Sequence, residues 1–140
     1  MWAKDMSRSI DYLETREDID ADNLAYYGIS WGGALGPIMT AVEPRFKASI
    51  LLVAGLFFQT TLPEAEALNF VPRVKVPTLM LNGKYDHYFP VETSQKPLFE
   101  LLDLPADQKR MVISELGHMI SREQLMREMF SWMDKWLAKR

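Results

Sequence analysis

The sequence predicts an α/β fold in which about four parallel strands are joined by crossover helices. Three observations carry this. Short apolar runs alternate along the chain with segments of helical period. The runs, residues 48–54 for example, are continuously apolar rather than alternating, as suits strands covered on both faces. Finally, Gly28-Ile29-Ser30-Trp31-Gly32 sits between one such run and a helical segment, where a sharp strand-to-helix turn belongs.

Each element has its own justification. Residues 2–16 place Trp2, Met6, Ile10 and Leu13 at spacings of three and four, a helical stripe. Residues 16–23 are polar and acidic and read as a loop. Residues 24–29 form a short apolar strand leading into the G-x-S-x-G pentapeptide. Residues 31–42 read as a helix, stopped near Glu43-Pro44. Residues 48–54 are a second strand. Residues 55–75 are irregular, with one helical turn or two between Pro63 and Phe70. Residues 77–81 form a third strand, closed by Asn82-Gly83. Residues 91–102 read as a helix, with Pro97 as a local conflict. Residues 109–113 are a fourth strand.

Residues 121–139 are the strongest helix, with Ser121 and Gln124 at capping-box spacing. Its apolar arc holds Leu125, Met126, Met129, Phe130, Trp132, Met133, Trp136 and Leu137. That is wider than one sheet face requires, so the helix is expected to pack against something besides its own sheet.

The chain's 140 residues suit one domain. Hydrophobic residues at 48% and charged residues at 25% are ordinary for a soluble globular protein. A net charge of −3 gives no electrostatic case for nucleic acid or an anionic membrane as partner. The absence of cysteine excludes disulfides and thiolate chemistry. Met1-Trp2-Ala3-Lys4-Asp5 lacks the apolar core of a signal peptide, and no apolar run approaches the ~20 residues that span a bilayer. A cytoplasmic location is expected.

The pentapeptide directs attention to the Ser30 hydroxyl. G-x-S-x-G arises by chance in roughly one chain in twenty of this length, so its strand–turn–helix setting matters more than the match itself. A serine hydroxyl is a weak nucleophile until a base takes its proton. The helix beginning beside Ser30 directs its first N–H groups at the same point, and the Trp31 N–H is one candidate oxyanion donor. Asp86 follows the third strand. An acid there can accept an imidazole N–H, although Asp is also a common turn residue. His118 follows the fourth strand. The other histidine, His87, adjoins Asp86 in sequence and is poorly placed to face it. Glu115 is a substitute acid but lies too near His118 along the chain. The order Ser30, Asp86, His118, each behind a separate strand, is that of a hydrolase triad. Two separated histidines supply no zinc spacing, and the glycines match no phosphate loop, so no metal or cofactor is expected. Trp31, Phe57, Phe58, Tyr85, Tyr88 and Phe89 are the candidate lining of a substrate pocket.

Residues 8–16, 27–37, 81–86 and 89–95, with Gly117-His118, resemble the carboxyl-terminal half of bacterial α/β hydrolases of the dienelactone hydrolase and prolyl-oligopeptidase-like group, most of all the domains fused to bacterial serine/threonine kinases. The resemblance covers almost the whole chain. It implies Ser30 as nucleophile, Asp86 as acid and His118 as base. Dienelactone hydrolases proper use cysteine, so serine here implies hydrolysis of small, short-acyl esters. Peptidase activity is the weaker inference, because no propeller domain is present.

The resemblance also implies a truncated α/β-hydrolase fold. The family's eight-stranded sheet is represented by its fifth to eighth strands and the helix before the fifth. The loop after the family's third strand, which donates the second oxyanion N–H, lies outside the chain. Losing one such donor typically costs about 2.7–4 kcal/mol of transition-state stabilisation. Residues 24–29 then form an exposed apolar edge. A homo-oligomer that buries this edge, or the 121–139 helix, is therefore expected. The alternative to an active esterase is a half-domain of little activity that assembles with itself or a partner.

Overall fold

The computed structural model describes residues 2–59 and 61–137. Four strands, β1 (Leu24–Ile29), β2 (Phe46–Leu52), β3 (Thr78–Gly83) and β4 (Lys109–Ser114), form one sheet in the order β1-β2-β3-β4. All three pairings are parallel, with Tyr27 opposite Ile50, Leu51 opposite Met80 and Leu81 opposite Val112. The four helices are α1 (Trp2–Glu14), α2 (Trp31–Val42), α3 (Lys96–Leu101) and α4 (Arg122–Leu137). The expected parallel α/β architecture is the one observed.

Strand alternation divides the core in two. Leu51 and Met80 point to the face covered by α1, α2, α3 and the short turns Ala67–Asn69 and Val71–Arg73, where Ile10, Val71 and Leu98 are buried with them. Ala48, Ile50, Leu52, Leu79 and Leu81 point to the other face and pack on α4 through Trp132. The wide apolar arc of α4 is only partly used. Trp132 is buried, whereas Phe130 remains 48% exposed.

Several boundaries move for identifiable reasons. The second strand starts at Phe46, two residues early, because the exposed Lys47 interrupts an otherwise apolar run whose first member is buried. It stops at Leu52 because Val53 takes φ 44°, a left-handed conformation that no strand continues. The third strand runs on through Asn82 and Gly83, which pair with Ile113 and Ser114 instead of turning.

The expected helix over 91–102 is divided. A π-turn spans Val91–Gln95, and α3 begins at Lys96. Pro97 thus falls in the first turn of α3, where its missing N–H costs nothing. At α4, Ser121 Oγ accepts from the Gln124 N–H at 3.2 Å, one half of the expected capping box. The last residues of the helix expected over 121–139 lie outside the described residues.

α1 is fastened to the sheet by Arg45, beside the start of β2. Its guanidinium donates to Asp11 at 2.8 Å, Glu14 at 3.1 Å, the Ser7 carbonyl at 3.2 Å and Glu43 at 2.7 Å.

Candidate active site

β1 ends at Ile29 and α2 begins at Trp31, so the chain reverses at Ser30 alone. Ser30 has φ 53° and ψ −111°, a conformation rare outside glycine and frequent at functional turns. The flanking glycines permit it. A Cβ on Gly28 would strike the Gly32 backbone, and one on Gly33 would sit 2.8 Å from the Ala54 methyl. The Tyr26 hydroxyl braces the turn by donating to the Gly32 carbonyl at 2.6 Å. Ser30 occupies the N-cap of α2, where serine ordinarily caps with its own hydroxyl, yet it makes no such bond. The hydroxyl lies 2.7 Å from His118 Nε2 instead.

His118 Nδ1 lies 2.7 Å from Asp86 Oδ2. The carboxylate can only accept, so Nδ1 carries the proton and Nε2 accepts from the Ser30 hydroxyl. The second oxygen of Asp86 accepts from the N–H groups of Tyr88 at 2.9 Å and Phe89 at 3.1 Å. One buried side chain therefore both closes a turn and orients an imidazole. Tyr88 stands edge-on to the His118 ring at 5.0 Å, and Phe89 flanks it at 5.9 Å. His87 is exposed and stacks on Tyr88 at 4.2 Å, away from this chain of hydrogen bonds.

The loops bearing Asp86 and His118 are joined backbone to backbone. Lys84 N–H donates to the Ser114 carbonyl at 2.8 Å and Tyr85 N–H to the Leu116 carbonyl at 2.9 Å. A Cβ on Gly83 would fall on the Gly117 carbonyl, so only glycine allows this approach. Outside it, Glu115 accepts from Lys84 Nζ at 2.8 Å and from the Tyr85 hydroxyl at 2.7 Å. Lys84 holds the Glu115 carboxyl below the usual range. Glu115 is thereby engaged by Lys84 and Tyr85, while Asp86 is the carboxylate that bonds His118.

A cavity of about 410 Å³ opens over Ser30, lined by Trp31, Phe57, Phe58, Gln59, Tyr88 and Phe89. Five of the six expected pocket aromatics stand there. Tyr85 does not: it donates to Glu115 and lines a separate cavity with Lys84 and Ile113. As the first residue of α2, Trp31 has an N–H that helix geometry leaves without an intrahelical acceptor. Among the described residues no three His, Asp or Glu side chains gather into a metal-binding group.

Three residues that sequence reasoning passed over hold the frame of the site. Asn82 ties β3 to Ala54. Gln95 donates to the carbonyls of Gly83 at 2.9 Å and Phe89 at 2.7 Å. Ser94 donates to the Leu56 carbonyl at 2.7 Å. Their only signal is a polar residue inside an apolar or helical stretch.

A parallel sheet, a strained serine turn behind its first strand, and an acid and a histidine behind later strands define the α/β-hydrolase class. Within it, the chain belongs to the PET hydrolase-like family, whose model matches residues 4–140. Cutinase est2 of Thermobifida alba is 28% identical over an alignment of 123 residues that covers 83% of this chain and 37% of that protein. The α/β hydrolase domain-containing protein WAV2 of Arabidopsis thaliana is 29% identical over an alignment of 116 residues that covers 62% of this chain and 37% of that one. Among solved structures, a dienelactone-hydrolase-type protein of Klebsiella pneumoniae superposes with a TM-score of 0.80 at 20% identity, covering 96% of this chain and 60% of that one. The chain spans little more than a third of the length of the curated relatives it matches. Among the described residues no helix is long and apolar enough to cross a membrane.

Proposed function

We propose that the chain is a serine carboxylesterase acting on small, short-acyl esters. One observation carries this reading. The atoms Ser30 Oγ, His118 Nε2, His118 Nδ1 and Asp86 Oδ2 form a continuous line of two 2.7 Å hydrogen bonds between residues up to 88 positions apart. Ser30 attacks the ester carbonyl as His118 takes its proton. His118 returns that proton to the leaving alcohol. Asp86 fixes the imidazole tautomer and stabilises the imidazolium. The Trp31 N–H receives the developing oxyanion. Water, activated by His118, then releases the acyl group and restores Ser30. The cutinase among the relatives supports an ester as substrate. Turnover of p-nitrophenyl acetate by the protein against Ser30→Ala tests the reading.

A second reading concerns assembly. Among the described residues β1 pairs on one side only, and its Tyr27 and Ile29 are 43% and 51% exposed. They make β1 the kind of apolar edge that a second copy of this chain covers, and Phe130 of α4, 48% exposed, is a further uncovered apolar side chain. In this reading the chain is a homo-oligomer, and full activity depends on a second oxyanion donor supplied across that contact.

A further inference from the structure

The cavity over Ser30 does not end at its aromatic wall. Behind Trp31 and Phe57 lies a second, more enclosed cavity of about 170 Å³, bounded by Trp2, Leu35 and Ile38. Trp31, Phe57 and Gln59 line both spaces and so form the wall that the two share. Those rings lie 4.9 Å apart, centroid to centroid, and are tilted by 50°. On its far side Trp31 meets Trp2 edge-on at 6.3 Å. Trp31 is nevertheless 56% exposed, so ring contacts on two sides hold an indole that has solvent to swing into.

The chemistry of the rear cavity is apolar. Among the described residues its one charged side chain is Glu66, which accepts from the Thr61 hydroxyl at 2.9 Å and its N–H at 3.3 Å. Among the described residues no other charge there is left to recruit an ionic ligand. The volume is close to that of an apolar protein cavity that admits benzene, enough for a short run of methylenes. A chain one methylene wide also needs a smaller displacement of Trp31 than a ring does.

We propose that the rear cavity receives the distal methylenes of a straight-chain acyl group held at Ser30, with the Trp31 ring as the gate that sets acyl length. The proposal rests on the esterase reading. In the closed position the front pocket takes short acyl groups. With the gate open, the same site takes chains of about ten carbons.

The test compares kcat/KM for p-nitrophenyl butyrate and p-nitrophenyl decanoate. Trp31→Ala, which keeps the backbone N–H, is expected to raise the decanoate-to-butyrate ratio about tenfold. Adding Leu35→Trp, which fills the rear cavity, returns the ratio to its wild-type value, and Ile38→Trp gives the same reversal from one turn further along α2. A ratio within twofold of wild type in Trp31→Ala, or a gain that survives both fillings, overturns the proposal. If no variant hydrolyses either ester faster than Ser30→Ala, it is the esterase reading that fails. Binding then tests the cavity independently. Calorimetric titration with decanoic acid should show tighter binding, by about tenfold, to Ser30→Ala/Trp31→Ala than to Ser30→Ala, and loss of that gain on adding Leu35→Trp. Equal affinities in the three proteins refute the rear site.

Discussion

The side chain of Asn82 donates to the Ala54 carbonyl at 2.7 Å and accepts from the Ala54 N–H at 3.2 Å. Both residues are wholly buried. A single amide thus satisfies the two backbone groups of a residue just past the end of β2, immediately after the strained Val53. Removing it leaves a buried donor and acceptor without partners. Asn82→Ala is expected to cost about 2–4 kcal/mol in urea unfolding. Asn82→Asp should cost a similar amount, since a carboxylate cannot donate to the carbonyl. A loss below 0.5 kcal/mol for both would show that Ala54 finds other partners.

Asp86 has two duties, and substitution should separate them. Asn at position 86 can still accept from Tyr88 and Phe89 through its carbonyl oxygen, but it presents an N–H donor or no charge to His118. Asp86→Asn is therefore expected to lower kcat by about 10³–10⁴ with a melting temperature near wild type. Asp86→Ala loses the turn as well and should melt lower. Parallel kinetics and thermal melts distinguish the two. Equal melting temperatures for both variants would mean that the turn needs no side-chain acceptor.

The sheet was legible in the sequence because β2 and β3 are almost wholly buried, and β1, although half-exposed at the edge, is also written in apolar residues. The residues that misled are those doing a second job. Lys47 hides the start of β2, since its side chain reaches solvent while its neighbours do not. Asn82-Gly83 reads as a turn, but Asn82 spends its amide on Ala54 and Gly83 yields space to Gly117. Pro97 conflicts with one long helix and agrees with a shorter one that starts beside it. At the candidate site, the proximity of Ser30, Asp86 and His118 could be anticipated because each follows a strand, and parallel strands deliver such residues to one end of the sheet. The direction of Tyr85 could not be read, because Glu115, thirty positions away, determines it.

Glu43 should make folding acid-sensitive. Its buried carboxylate accepts from the Arg45 guanidinium at 2.8 and 2.7 Å and from the Ser7 hydroxyl at 2.8 Å. Arg45 holds its pKa down to about 2, against an ordinary 4.5. A depressed carboxylate stabilises the fold above the unfolded value, and the benefit is lost as pH falls from 4.5 towards 2. The amount at stake is on the order of 3 kcal/mol. Urea unfolding between pH 7 and pH 3 should show a steeper loss for wild type than for Glu43→Gln. Parallel curves would remove Glu43 as the cause.

The one-sided edge of β1 predicts self-association. Sedimentation at micromolar concentration is expected to give a mass of at least twice 16.2 kDa. Tyr27→Lys combined with Ile29→Lys places charge on that edge and should return the chain to monomer. A monomeric wild type would contradict the assembly reading and leave the Ser30 site to act with the donors of one chain.

The most direct measurement is the initial rate of p-nitrophenyl acetate hydrolysis by the wild type beside Ser30→Ala, Ser30→Cys and His118→Ala at matched concentration. A rate that falls by at least a hundredfold in Ser30→Ala and His118→Ala is the predicted result. Equal rates in wild type and Ser30→Ala would contradict the account at its centre.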